Sequence, residues 1–465
     1  MATENTHYGA EQIKTVLATC RSVYFIGIGG INMSSLAHLT HRRGYRVGGS
    51  DRMRTELTER LESVGISVFY EHRAQQVEDY DAVVYTVAIS GDNPEYVRAK
   101  ERGIPCISRA DYLGYLMTEY PRRVGISGMH GKSSTTSMCA HTLLQANKSP
   151  TVLSGAELAE MGGAYCLGDG EDFVFEACEY MDSFLDFAPN IAVILNIEMD
   201  HVDYFHSMEQ IRASFAAFAA KTGPRGYVIA NADDENVMAA LADYKGKIIT
   251  FGAHTKSADY SANNISANHG MPCFDIVRNG EFLCHIQLNV PGIHNIYNAL
   301  AAAAAANLCR ITPKRIAEAL GQFAGAKRRM EYKGIFNGAD VYDDYGHHPT
   351  EIAATLEGVS RMGYDRVFCV FQPHTYSRLA ELFDDFAKSF IDADRIIIAE
   401  VYAAREENTY GVTSKLLAQT IGKQAEYIDN FEDIVTYLKQ STYEGDVIVV
   451  MGAGDTFRLF PLMGL

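Results

Sequence analysis

Lys132 closes a glycine-spaced turn whose neighbours are suited to gripping phosphate. The segment reads Arg123-Val124-Gly125-Ile126-Ser127-Gly128-Met129-His130-Gly131-Lys132-Ser133-Ser134-Thr135-Thr136. A short apolar run leads in, and a helix-forming run (Thr135 to Leu144) leads out. Glycine lets a backbone approach an anion, and the N–H groups of the turn and of the helix N-terminus point at its oxygens. The Lys132 ammonium adds a point charge, and the Ser133 hydroxyl can reach a Mg²⁺ ion. The spacing departs from the strict Walker form, because Ile126 stands where that form has its first glycine and the glycines recur at 125, 128 and 131. Gly-Lys-Ser at a strand-to-helix junction still predicts a phosphate cradle.

A second set of polar groups falls where strands should end. Asp172 to Ala177 reads as a buried strand carrying Glu176, and the apolar run Ile191 to Asn196 precedes Asp200-His201. Open parallel sheets bind ligands at the C-terminal ends of their strands. A hard cation bridging phosphates needs few protein ligands, since phosphate and water complete its octahedron. Ser133, Glu176 and His201 can supply them. Asn295 and Asn298, three apart on one helical face, are placed either to cap that helix or to read an adenine edge. The basic run Lys327-Arg328-Arg329 can reach a phosphate from a hinge. Further on, Asp343-Asp344-Tyr345-Gly346-His347-His348 is too polar for a buried strand end without a task, and Gln372-Pro373-His374 continues to Arg378.

The elements that must position these groups are alternating strands and helices, which predicts an α/β chain of three units. The first opens with a strand over 22–26, the turn Gly27-Ile28-Gly29-Gly30, a helix to about Arg43, and a second strand ending at Ser50-Asp51. This is the opening of a dinucleotide fold. Asn32 occupies the third glycine position of that fingerprint, so the spacing supports a diphosphate at a helix N-terminus more firmly than it supports NAD. Boundaries are expected at 1–120 for a Rossmann-like domain, 121–324 for a central phosphate-loop domain with a mostly parallel sheet, and 325–465 for a C-terminal Rossmann-like domain.

Composition excludes several classes. The chain has 465 residues, 47% hydrophobic and 21% charged, with a formal net charge of −17. That charge argues against a general nucleic-acid or anionic-membrane surface, so an anionic substrate must be captured by local basic groups and helix termini. The nine cysteines are scattered without a Cys-x-x-Cys pair, which predicts reduced thiols in a cytoplasmic protein. No apolar run approaches membrane-spanning length, and the polar N-terminus shows no signal peptide.

Taken together, the motifs resemble those of the Mur ligase family over essentially the whole chain. They are Gly-Ile-Gly-Gly-x-x-Met at 27–33, Gly-Ser-Asp at 49–51, Ala-Ile-Ser-x-Asp-Asn-Pro-Glu at 88–95, Gly-x-His-Gly-Lys at 128–132, Glu-Ala-x-Glu at 176–179 and Asn-Ile-Glu-x-Asp-His at 196–201. They continue with Pro-Gly-x-His-Asn at 291–295, Arg-Arg-Met-Glu at 328–331, Asp-Asp-Tyr-Gly-His-His-Pro-Thr-Glu at 343–351 and Phe-Gln-Pro-His at 371–374. The 343–351 block resembles the branch that adds alanine. Sister branches carry a carbamylated lysine fourteen residues beyond the Asp-His motif; Phe215 stands there, and Lys221 is out of register.

The resemblance implies an ATP-dependent amide ligase that joins L-alanine to the lactyl carboxylate of UDP-N-acetylmuramate through an acyl phosphate, as a monomer or homodimer. It implies ATP contacts from Gly128, His130, Gly131, Lys132, Ser133, Ser134, His294, Asn295, Asn298, Arg328 and Arg329. Two Mg²⁺ sites are implied on Ser133, Glu176 and His201, with Mn²⁺ able to substitute, and Lys132, Glu176 and His201 form the catalytic set. The UDP-sugar falls to Gly27, Gly29, Gly30, Asp51 and His72. The alanine site falls to Tyr345, His347, His348, His374 and Arg378. Three departures stand out: Thr375 replaces an arginine common after Phe-Gln-Pro-His, the 176–182 loop differs from the usual acidic, serine-containing form, and Met129 replaces threonine. A recycling ligase that adds an intact murein peptide and a non-enzymatic nucleotide sensor are the alternative readings.

Overall fold

The computed structural model describes residues 6–201, 204–404 and 406–465. Three sheets, each built around parallel strands, carry the chain. The first holds β1 (Ser22–Ile26), β2 (Arg46–Ser50), β3 (Ser67–Phe69), β4 (Ala82–Tyr85) and β5 (Cys106–Ser108) in the order β3-β2-β1-β4-β5. All of its pairs are parallel. The strand order reverses at β1, and the crevice at that reversal is where open α/β sheets take ligands. β1 (Ser-Val-Tyr-Phe-Ile) is buried at all five positions, as a strand covered on both faces must be.

The central sheet has ten strands: β6 (Arg122–Ser127), β7 (Thr151–Leu158), β8 (Gly163–Cys166), β9 (Asp172–Glu176), β10 (Ile191–Ile194), β11 (Tyr227–Asn231), β12 (Lys247–Gly252), β13 (Tyr260–Asn268), β14 (Met271–Arg278) and β15 (Glu281–Gln287). β6 lies between β9 and β10, both parallel to it. The phosphate turn therefore leaves the middle of the sheet, flanked by the two strand ends that carry the expected acidic and histidine groups. β13, β14 and β15 add an antiparallel meander at one edge, an extension that the sequence pattern did not single out.

The third sheet comprises β16 (Glu331–Phe336), β17 (Ala339–Asp344), β18 (Val367–Phe371), β19 (Arg395–Ile398), β20 (Ala425–Tyr427) and β21 (Val447–Met451), ordered β16-β17-β21-β18-β19-β20. Only β16 runs antiparallel to its neighbour. The polar block at 343–348 begins at the end of β17, and Gln372-Pro373-His374 follows β18. Both lie at the C-terminal edge of this sheet.

The cores are distributed unevenly. One apolar cluster runs continuously from Ile13 in the first domain to Leu241 in the central one. The third domain keeps its own apolar layers on the two faces of its sheet. On the far side of the central sheet, the helix His294–Leu308 buries Ala299 to Ala306. Small side chains let that helix approach the phosphate turn closely: a Cβ built on Gly131 would sit 2.6 Å from Asn298 Oδ1. All nine cysteines are free; five are buried and Cys178 is exposed. Among the described residues, no helix is long and apolar enough to cross a membrane.

Candidate functional site

The phosphate turn is held by its neighbours before any ligand arrives. Gly128 sits at φ +137°, and a Cβ there would lie 2.9 Å from Leu195 Cβ. Asn196, just past β10, accepts from the His130 N–H at 2.8 Å and donates to the His130 carbonyl at 3.0 Å. Gly131 takes φ +80° and precedes the helix Lys132–Gln145, which has no side-chain cap. Its first N–H groups are left for a ligand. Lys132 Nζ folds back to donate to the carbonyls of Gly128 (2.6 Å) and Met129 (3.1 Å) and to Glu179 Oε1 (3.0 Å).

Glu179 is the carboxylate at the centre of this cluster. It is fully buried, and Oε1 also lies 3.1 Å from His201 Nε2. Among the described residues Oε2 has no hydrogen-bond partner. Burial alone would raise its pKa, but Lys132 and His201 hold it below the usual carboxylate range. Burial likewise opposes the Lys132 charge, and Glu179 more than restores it. The carboxylate within hydrogen-bond reach of His201 here is that of Glu179. β9 ends at Glu176, whose carboxylate accepts from the Gly155 N–H on β7. The chain then turns, and Glu179 comes back beneath Lys132. His201 adopts φ +52° with the Tyr180 ring 4.9 Å from its own.

The third domain meets the turn through polar contacts. Arg329 Nη2 donates to Ser133 Oγ at 3.2 Å. Arg328, expected beside it, faces the other way: it pairs with Asp343 at 3.2 Å and donates to the Gly452 carbonyl at 2.7 Å. Their two guanidinium groups lie 4.9 and 5.2 Å from the Tyr345 ring centre. His130 contacts Glu198 and, at 3.3 Å, Glu351. Burial would lower the His130 pKa, but these carboxylates push it up to about 10. Thr350 donates to Glu198 at 2.9 Å, and Arg378 grips Asp200 at 3.2 Å.

The histidines of the polar block are neutral groups. Burial lowers His347 to about 4, with Glu351 opposing, and lowers His348 as well. His374 stacks on Tyr402 at 5.5 Å, lies 6.0 Å from the His347 ring, and has its Nδ1 3.5 Å from Arg378. Thr375 beside it takes φ +64° and ψ 145°, a backbone state that a β-branched residue rarely adopts. His130, Glu198 and His348 bring potential metal ligands within 4.8 Å of one another. His348 Nδ1 accepts from the Thr350 N–H at 3.3 Å, which engages one of its ring nitrogens.

A cavity of about 560 Å³ opens between the central and third domains. His130, Gly131, Ser134, His294, Asn295, Asn298 and Arg329 are among the residues that line it. Asn295 donates to the Pro291 carbonyl and accepts from Asn298, while Asn298 Oδ1 accepts from Thr135. The pair thus both staples the helix to the phosphate turn and faces the cavity. Asp233 and Tyr297 also line it, joined at 2.9 Å. Burial would raise Asp233, but the N–H groups of His254 and Thr255 and the Tyr297 hydroxyl hold it down to about 2. Asp233 was missed because nothing distinguishes its Asn-Ala-Asp-Asp context from a surface turn.

In the first domain, Gly27 takes φ +82°, and Gly30 caps the helix Ile31–Arg42 without a side-chain bond. Asp51 Oδ2 accepts from the Gly29 N–H at 2.8 Å. His72 Nδ1 lies 2.7 Å from Glu95 Oε2 and 3.0 Å from Ser50 Oγ, and Tyr24 donates to the same buried Glu95 at 2.6 Å.

Three family descriptions match the chain: "Mur ligase family, catalytic domain" over residues 22–121, "Mur ligase middle domain" over 126–306, and "Mur ligase, glutamate ligase domain" over 328–454. The chain is 45% identical over 443 residues to the UDP-N-acetylmuramate–L-alanine ligase of Acetivibrio thermocellus, covering 94% of each. It is 46% identical over 442 residues to the same-named protein of Clostridium novyi, covering 94% of this chain and 96% of that one. Among solved structures, the UDP-N-acetylmuramate-alanine ligase of Thermotoga maritima superposes with a TM-score of 0.78 at 30% identity, covering 95% and 98% of the two chains. A murein peptide ligase from Psychrobacter arcticus gives 0.69 at 26% identity, covering 96% and 99%.

Proposed function

The chain belongs to the Mur ligase family, and from that premise we propose that it joins L-alanine to the lactyl carboxylate of UDP-N-acetylmuramate, converting ATP to ADP and phosphate, in peptidoglycan precursor synthesis. The observation that carries this reading is that the third domain reaches the central one through two charged contacts, one at the phosphate turn and one beside His201. Arg329 from the third domain touches Ser133 of the phosphate turn, while Arg378 reaches Asp200 beside His201. A nucleotide phosphate and an amino acid are thereby brought to one place.

In this reading the lactyl carboxylate attacks the γ-phosphate, and the amine of L-alanine then displaces phosphate from the acyl phosphate. Phosphoryl transfer asks the protein for position and charge neutralisation more than for covalent help. Lys132 and Arg329 neutralise the phosphates. His294, Asn295, Asn298, Tyr297 and Asp233 receive the nucleoside. Gly27, Gly29, Gly30, Asp51 and His72 hold the UDP moiety. Tyr345, His347, His348, His374 and Arg378 form the alanine pocket. Thr375, in the place of an arginine, leaves Arg378 as the cation for the alanine carboxylate.

The buried Oε2 of Glu179, without a hydrogen-bond partner among the described residues and beside His201, fits a hard cation. Mg²⁺ held there, with Glu176 at the edge of the set, would neutralise phosphate oxygens. The domains are divided at 1–120, 121–324 and 325–465. ATP and a UDP-sugar as substrates place the reaction in the cytoplasm.

The test is phosphate release from ATP with Mg²⁺ and UDP-N-acetylmuramate, with and without L-alanine, glycine, L-serine or a murein tripeptide. Release that requires both the sugar nucleotide and L-alanine is expected. Release only with the tripeptide would move the chain to peptide recycling, and no amine-dependent release from folded, ATP-binding protein would overturn the ligase reading.

A further inference from the structure

The antiparallel meander β13–β14–β15 carries a second chemical constellation on its exposed face. Cys273 and Asp275 lie two apart on β14 and so share one side of the sheet. β15 pairs His285 with Asp275, which places the imidazole on that same side. Cys273 Sγ is 3.3 Å from His285 Nε2, and His285 Nδ1 is 2.7 Å from Asp275 Oδ1. The other carboxylate oxygen accepts from Asn264 Nδ2 at 2.7 Å.

Asn264 reaches that oxygen because β13 is bulged between Asn263 and Ser266, with Asn264 at φ +51°. Bulges re-aim side chains in this way. A thiol, a base within reach of it, an acid orienting the base and an amide fixing the acid form the arrangement of an activated nucleophile. None of the four contributes to the ligase cleft. The His285 side chain is 57% exposed, so small solutes can reach the group.

We propose that Cys273 is a nucleophilic modification site that exchanges with low-molecular-weight disulfides. The thiol proton passes to His285 Nε2, with Nδ1–H held on Asp275. The sulfur attacks one sulfur of the disulfide, a protein mixed disulfide forms as the S–S bond breaks, and the departing thiolate takes the proton from His285. The Cys273 sulfur is oxidised as it enters the mixed disulfide and the departing sulfur is reduced by the same amount, so the exchange balances without another oxidant or reductant.

Other thiols in the chain serve as internal references. Burial raises Cys20 and pushes Cys166 up to about 11, so each should react more slowly. The experiment treats the full-length protein with oxidised glutathione or limiting iodoacetamide and maps adducts by peptide mass spectrometry over time. Cys273 should be modified first, and Cys273→Ser should abolish that adduct. His285→Gln should slow modification at Cys273 by about threefold or more, the net of thiolate gain and lost nucleophilicity, with Asp275→Asn between the two. Both substitutions are on an exposed face, and unfolding midpoints check that the fold persists. Cys273 reacting no faster than the reference thiols, or reacting as fast in His285→Gln as in the parent, would overturn the proposal.

Discussion

Two turns in this molecule share a local design and differ in charge. Each follows a buried parallel strand, β1 or β6, uses a glycine at positive φ (Gly27 or Gly131), and opens a helix with no side-chain cap. The first turn is occupied by an acid, since Asp51 accepts from the Gly29 N–H. The second holds a cation, Lys132, with its counter-ion Glu179 behind it. A glycine turn opening an uncapped helix therefore does not by itself define a ligand. An N–H already taken by a carboxylate favours a ligand that presents hydroxyls to Asp51, whereas open N–H groups beside an ammonium favour phosphate oxygens.

Substitutions at the charged partners separate the two turns most sharply. Lys132→Ala should cut alanine-dependent phosphate release by about 10³-fold or more while circular dichroism shows an intact fold; near-normal turnover would erase the contrast. Next in size, Glu179→Gln should lower turnover by about 10²-fold, and Glu176→Gln should do much less, because Glu179 touches both Lys132 and His201. Equal losses would return Glu176 to the centre of the metal set. In the first turn, Asp51→Asn should raise KM for the UDP-sugar by about tenfold and leave KM for ATP unchanged. A shift in the ATP value instead would mean that the first turn serves the nucleotide triphosphate.

The smallest effect is one of stability. His130, beside Lys132, has its folded pKa raised to about 10 by Glu351 and Glu198 against the opposing effect of burial. A raised cation contributes stability that is fully present below its unfolded value, about 6.5, and is lost as pH climbs towards 10. The Tm advantage of the parent over His130→Gln should therefore shrink by a few degrees between pH 6.5 and 10. An advantage that stays flat across this window would show that the contact between the phosphate turn and the third domain is not held by this charge.

Much of this site was legible because its chemistry is local. Gly128, His130, Gly131 and Lys132 lie within five consecutive positions, and a turn of that length has few ways to fold. His294, Asn295 and Asn298 sit on one helical face, so their shared exposure to the cavity follows from helix periodicity. Arg328 and Arg329 could not be separated in the same way. They are adjacent, and which one turns to Ser133 depends on Asp343 at the end of β17 claiming the other. The Cys273–His285–Asp275 group escaped notice because it needs the register of β14 on β15 and a bulge in β13, neither of which leaves a mark in composition.

The amino-acid sequence by itself determined the alternation of strands and helices, the two glycine turns, the three-part α/β organisation and the membership of a ligase family, since each rests on short-range patterns that survive without knowledge of the fold. Only the tertiary structure decided that Glu179 rather than Glu176 meets His201, that Asp233 and Tyr297 line the cavity between the central and third domains, and that Arg378 spans two domains to Asp200. The reason is physical. A carboxylate at a strand end is one backbone turn from facing either way, and the direction it takes is set by the charged groups that packing brings within about 3 Å of it.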